Sequence, residues 1–147
     1  MDIQKIIKKL PLRLIISVIV GIAVAMILSI ITHLILYWVN VFPKPGKPMF
    51  ETDLLWISLV YHSFYAVVGA YFTAMIAEDK ARKAVFILGT KEAIMWLLGT
   101  ILLWKHAAPW YNVTKALLGI PLAMLGGKIY TVYKKKKEEA KFVPHKI

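Results

Sequence analysis

Five ionisable side chains fall within otherwise apolar sequence and are the residues here that could do chemistry: His33, His62, Lys91, Glu92 and Lys115. A charge at membrane depth costs at least about 2.5 kcal/mol, so a group kept there is by default a functional candidate. A carboxylate near imidazoles could relay protons or meet a permeating ion, and a carboxylate near an ammonium could tie two helices together. Lys91 and Glu92 are sequence neighbours, but successive helical residues point about 100° apart, which predicts different faces and no direct pair. Lys91 shares its face with Ile87, Leu88, Met95, Leu98 and Leu102, a stripe suited to lipid, and its stem is expected to snorkel toward the cytoplasm. Glu92 shares its face with Gly89, Trp96 and Gly99, and glycines mark contact with another helix. His62 follows the face of Ala66 and Gly69, His33 continues the small residues ending at Ser29, and Lys115 lies on the Gly119 face. An inward polar cluster of His33, His62, Glu92 and Lys115 is therefore expected. Helical side chains lean toward their own N-terminus, which carries Glu92 and Lys115 apart in antiparallel helices. Glu92 is then read first as interhelical hydrogen-bonding glue, with a proton or ion path as the alternative.

Other chemistries lack their residues. There is no GxSxG elbow, HExxH helix, glycine-rich phosphate loop or paired carboxylate, so an enzyme is not expected. No two histidines stand at i, i+3 or i, i+4 and the chain has no cysteine, which argues against a metal site and excludes disulfides and thiol chemistry. No cofactor is implied.

The elements that must position these groups are four apolar runs: Leu14 to Val39, Leu54 to Ala77, Ala84 to Trp104 and Pro109 to Tyr133. Each meets the roughly 20 residues needed to cross a hydrocarbon layer. With 59% hydrophobic and 18% charged residues in 147 positions, there is no room for a separate soluble domain. The expectation is an all-α polytopic membrane protein, four transmembrane helices in one antiparallel bundle over residues 1–133, followed by a basic tail over 134–147. Ala23-Val24-Ala25 resembles a signal cleavage site, but apolar sequence continues well beyond it, so an uncleaved first helix is expected.

The net charge of +11 is unevenly placed. Lys5, Lys8, Lys9 and Arg13 precede the first run, Lys80, Arg82 and Lys83 lie between the second and third, and Lys128, Lys134 to Lys137, Lys141 and Lys146 close the chain. The positive-inside rule then puts both termini in the cytoplasm, in a multi-pass protein of the cell membrane. The tail suits anionic lipid headgroups, at about 1 kcal/mol per lysine near the surface. Without interleaved aromatic residues it does not suit nucleic acid. Trp38, Trp56, Trp104 and Trp110, with Tyr37 and Tyr111, fall at the outer ends as an interfacial belt, and Tyr71, Tyr130 and Tyr133 fall at the inner ends. Residues Asn40 to Asp53, rich in proline, read as an extended loop, and Ala77 to Lys83 reads as a tight charged hairpin.

Small residues recur where helices should meet: Gly21 and Ala25 in the first run, Gly69 in the second, Gly89 in the third, Gly119 and Gly127 in the fourth. The same stripes could serve packing within one bundle or a homo-oligomer contact. Pro121 is expected to kink the last helix.

The stretch from Tyr65 through Gly69 and Thr73 to Ala77, the short basic hairpin, Ala84 followed by Gly89, His106-Ala-Ala-Pro109-Trp110-Tyr111 and Pro121-Leu-Ala-Met-Leu-Gly126-Gly127-Lys128 together resemble a widespread group of small four-helix bacterial inner-membrane proteins with no assigned activity. The resemblance implies a four-span inner-membrane protein and carries over no site residue. The Lys91-Glu92 pair departs from the apolar third helix of that group. The leading functional expectation is a bundle acting as partner or scaffold in a membrane assembly. The alternative is a small transporter or proton- or ion-conducting subunit using Glu92 and His62.

Overall fold

Large apolar side chains cover the outside while many of the closest interior contacts are made by small ones, unlike a protein folded by water. Ile19, Val60, Phe64, Ile101 and Leu117 are all more than half exposed, whereas Ala70, Ala74 and Ala84 are fully buried. Such a contiguous apolar exterior suits a lipid bilayer, in which close approach of backbones holds helices together. The computed structural model describes residues 12–44, 46–102, 104–105 and 108–142. Lys5, Lys8, Lys9, His106 and Lys146, named above, lie outside the described residues.

The fold is all-α. In order come α1 (Leu12–Trp38), α2 (Thr52–Ala77), a 3₁₀ turn (Glu78–Lys80), α3 (Ala81–Leu102) and α4 (Pro109–Phe142). Among the described residues three helical stretches are long and apolar enough to cross a membrane: Leu12–Trp38, the joined 51-residue stretch Thr52–Leu102, and Pro109–Lys141. This corrects the expectation of four separate helices. Only three residues, in the tighter 3₁₀ form, stand between Ala77 and Ala81, so the tight charged hairpin expected over Ala77 to Lys83 is a single helical turn that joins the two helices without a break.

The joined stretch nevertheless folds back. Ser58 of α2 meets Tyr111 of α4, and Val67 and Ala70 meet Gly126, so those two helices run in the same direction. Val85 meets Gly127, and Gly89 meets Gly119, so α3 runs against α4. Glu78 makes the reversal with φ 49° and ψ −107°, its amide closing on the carbonyl of Ala74. Arg13 braces the turn from α1, donating through Nε to the carbonyl of Ile76 at 2.8 Å and pairing with Glu78 at 2.7 Å. A cation at a helix C-terminus satisfies an orphan carbonyl and complements the macrodipole.

Glycines set the closest approaches. A Cβ on Gly69 would stand 2.5 Å from the carbonyl oxygen of Gly21 and 3.1 Å from Ala25, and one on Gly21 would collide with Thr73. Thr73 uses that proximity to donate to the carbonyl of Ser17 at 3.1 Å. Across the bundle, a Cβ on Gly89 would meet Ile120, Ala123 and Gly119 at 2.8 to 2.9 Å, and one on Gly127 would meet Val85 at 2.9 Å. Gly126, not singled out as a packing residue from sequence, sits as tightly against Val67 and Ala70 of α2. Gly99 was expected to mark a helix contact, but a Cβ there would have nothing within 4 Å. It lines a cavity instead.

α4 passes Pro121 as one helix and continues through Lys134 to Lys137. Lysine, glutamate and alanine are good helix formers, so the basic segment extends the helix as far as Phe142. The α1–α2 connection is more than an extended loop. Asn40 takes the left-handed conformation (φ 58°), which asparagine tolerates, and the amides of Val41 and Phe42 return to the carbonyl of Leu36. Phe42 is thereby buried, edge-on to His33 with ring centres 5.1 Å apart.

Candidate functional site

α1 packs chiefly on α2, and α3 chiefly on α4. Between α1 and α3 this leaves a cavity of about 860 Å³ whose lining comes from all four helices. His33, His62, Glu92 and Lys115 all reach it. They share a space without forming one contact network, and each is held by partners of its own.

Lys115 lies one turn after Tyr111 on α4, so their side chains overlap. Its residue is only 7% exposed, and Nζ lies 3.4 Å from the centre of the Trp96 ring and donates to the Tyr111 hydroxyl at 3.3 Å. No carboxylate pairs with it among the described residues. The Tyr111 hydroxyl is also 2.6 Å from Ser58 Oγ. Because Tyr111 accepts from Lys115, its own proton can go to Ser58. Tyr111 is therefore buried, not part of the outer aromatic belt to which sequence assigned it. Its hydroxyl finds a partner inside, and the ring follows. Trp56 and Trp110, with ring centres 5.6 Å apart, and the exposed Trp38 and Trp104 gather at the end of the bundle opposite the Glu78–Lys80 turn.

His62 lies one turn after Ser58 on α2. Its Nδ1 is 2.8 Å from the Ser58 carbonyl, which can only accept, so Nδ1 carries hydrogen and a neutral ring would present Nε2 as an acceptor. Tyr61 stacks on His62 at 4.4 Å, and its hydroxyl is 3.5 Å from His33 Nδ1, a long contact. Thr32 and Tyr65 are joined at 2.6 Å and tie α1 to α2 nearby.

Lys91 and Glu92 depart from expectation. They pair directly at 2.9 Å, and both line the cavity, so Lys91 does not leave for the cytoplasmic headgroups. The physical reason is reach: the flexible four-carbon stem of lysine spans the angle between adjacent helical positions, and an ion pair inside apolar surroundings outweighs leaving the carboxylate bare. The Glu92 stem passes beside Gly119, where a Cβ would come within 3.4 Å. Glu92 is thus neither bonded to a histidine nor paired with Lys115.

Sequence reasoning missed Trp96, Tyr111 and Ser58 as partners. The signals were present: Ser58 with His62 and Tyr111 with Lys115 are i, i+4 pairs, and Trp96 is the tryptophan that does not belong to the belt. Phe42 left no signal, since its burial depends on how the loop turns at Asn40.

The charged and hydrogen-bonding groups occupy the middle of the cavity and the half away from the Glu78–Lys80 turn. From the Lys91–Glu92 pair toward the Glu78–Lys80 turn the lining is apolar or glycine, including Gly21, Ala25, Leu88, Leu122 and Ala123. Met26, Ile30, Met95 and Leu98 line the cavity and are also about half exposed, so they form lips of a lateral mouth between α1 and α3.

No family model, curated protein or solved structure matches this chain.

Proposed function

We propose that the chain is a multi-pass membrane protein that crosses four times, the joined stretch entering and returning, with both termini in the cytoplasm of a bacterial inner membrane. Three features support the reading: the short turn Glu78–Lys80, the basic residues gathered with it and with the two ends of the chain, and tryptophans gathered at the opposite end. Within that membrane the bundle serves as a binding element, without catalysis, for an amphipathic component that enters sideways from the lipid.

One observation carries this function: a cavity of about 860 Å³ with a polar outer part, an apolar inner part and a mouth between α1 and α3. The volume lies in the range of roughly 300–1,000 Å³ typical of small-molecule sites. A scaffold role loses much of its motivation, because Gly21, Gly69, Gly89, Gly119, Gly126 and Gly127 are all used within the chain. A partner or second copy would have to use other surface. A proton or ion path through His62 and Glu92 is the weaker reading, because the cavity lining continues toward the cytoplasm without polar groups.

The chain has no cysteine, so single thiols report cleanly. Ser29→Cys, Ala66→Cys and Leu122→Cys, made separately, should react with a membrane-soluble maleimide and be protected by a cavity-filling detergent or lipid. Leu117→Cys, which faces outward, should react without protection. Equal behaviour of all four would remove the cavity as a binding site. Reaction of Ser29→Cys and Leu122→Cys with an impermeant reagent from both sides would favour the conducting path instead.

A further inference from the structure

We infer that the cavity selects an amphiphile whose headgroup carries one negative charge on oxygen, with Lys115 as the group that reads the charge. The inference rests on the binding role proposed above and names its ligand class. The first support is charge balance. The charged residues lining the cavity are Lys91, Glu92 and Lys115, and the first two neutralise each other at 2.9 Å. One cation is left over.

The second support is the state of that cation. Lys115 is 93% buried by its 7% exposure, faces the cavity, and has an aromatic ring and one hydroxyl as neighbours where an anion would ordinarily stand. An ammonium has three donors. Tyr111 takes one and a second can point at the Trp96 face, so a third donor remains for a ligand oxygen. In its neutral form the His62 ring, with Nδ1 donating to Ser58, offers an acceptor to the same cavity, which suits a protonated or hydroxyl-bearing part of the headgroup.

The third support is direction. From Lys115 to Ala123 the α4 wall spans roughly 12 Å by helical rise, and its lining turns from polar to apolar along the way. A headgroup at Lys115 therefore lays its alkyl chain over Leu122 and Ala123 toward the Gly21 and Ala25 wall of α1. The lateral mouth lets such a molecule enter from lipid without crossing water. Ammonium and headgroup then stabilise each other's charge in a low-dielectric site, where the pair is worth more than at a surface.

A free alkyl carboxylate and an anionic phospholipid both supply this chemistry, and the test separates them. The full chain in neutral detergent micelles would be titrated with hexadecanoate, with hexadecanol, and with phosphatidylglycerol in mixed micelles, reading bound ligand and thermal midpoint. Hexadecanoate is expected to bind at least about tenfold more tightly than hexadecanol, the difference one charge-assisted hydrogen bond supplies. Lys115→Met should erase that preference while leaving alcohol binding in place, and Lys115→Arg should keep part of it. Tighter binding of phosphatidylglycerol than of hexadecanoate, lost in Lys115→Met, would support the same site and assign its occupant to the bilayer.

Equal affinity of wild type for acid and alcohol, or a preference that survives Lys115→Met, would overturn the role of Lys115 while leaving an amphiphile cavity standing. Failure of all three ligands to bind would overturn both. Should Lys115→Met not fold, the wild-type comparison of acid with alcohol and the Lys115→Arg variant still decide the question.

Discussion

The ammonium of Lys115 lies over the face of Trp96, 3.4 Å from the ring centre, joining α4 to α3. Lys115 is the only buried charged residue among those described, so the indole does for it what a carboxylate would do elsewhere. A desolvated cation–π pair is worth about 2 kcal/mol. A double-mutant cycle with Trp96→Leu and Lys115→Met, read by reversible unfolding in mixed micelles, should show a coupling of that order. Additive effects would mean that the two side chains are merely adjacent.

Two glycines of α3 should respond in opposite ways to the same change. Gly89→Ala places a methyl group within 2.9 Å of α4 atoms and should cost about 1–3 kcal/mol through overpacking, whereas Gly99→Ala enters open space. The latter should be neutral or stabilising by up to about 1 kcal/mol, the helix propensity gained by removing glycine. Thermal midpoints of the two variants in one detergent would check the contrast.

Arg13→Ala removes both the pairing with Glu78 and a donor to the last turn of α2. Both side chains are about half exposed to the medium, so the loss should be no more than about 1 kcal/mol, falling as salt is raised. Proteolysis at Lys80 and Arg82 offers a local readout, because loosening the turn should expose those sites. Unchanged cleavage would argue that the turn holds without the brace.

Ser58→Ala should cost about 1 kcal/mol, since it removes the 2.6 Å contact to Tyr111 but leaves His62 its bond to the backbone carbonyl of residue 58. Tyr111→Phe should cost more, because it also removes the acceptor for Lys115 Nζ, and the double variant should lose little more than Tyr111→Phe alone. Fully additive losses would show that the hydroxyls act separately.

Phe42→Ala empties the site between His33 and Tyr61 and should destabilise by about 3 kcal/mol, as truncation of a buried aromatic ring does. Cleavage in the α1–α2 connection should rise together with the loss of stability. A loop that stays resistant would mean that Asn40 and its hydrogen bonds hold the connection unaided.

Much of this molecule could be read before any coordinates. The apolar runs foretold helices, with ends a few residues from those observed except the last, which continues past Tyr133 to Phe142, because length and hydropathy are properties of neighbours in the chain. Gly21, Ala25, Gly69, Gly89, Gly119 and Gly127 were legible as contacts for a similar reason: without hydrophobic drive between helices, backbones approach only where side chains are small. The direct pairing of Lys91 with Glu92 was not legible, because helical geometry gives the direction of a Cβ and not where a long stem ends. Neither was the single joined stretch Thr52–Leu102, since a charged segment such as Ala77 to Lys83 can open into a loop or tighten into one 3₁₀ turn.

The amino-acid order was sufficient for an all-α chain suited to lipid, for the polar residues within its apolar runs and for the small residues on its faces. Those features follow from composition and from the repeat of one helix. It was not sufficient to pair Lys115 with Trp96, to bury Tyr111 against Ser58, to set Phe42 over His33 or to leave a cavity between α1 and α3. Those relations depend on how each helix is rotated about its axis and which distant segment it meets, and such choices are made only when all the helices pack at once.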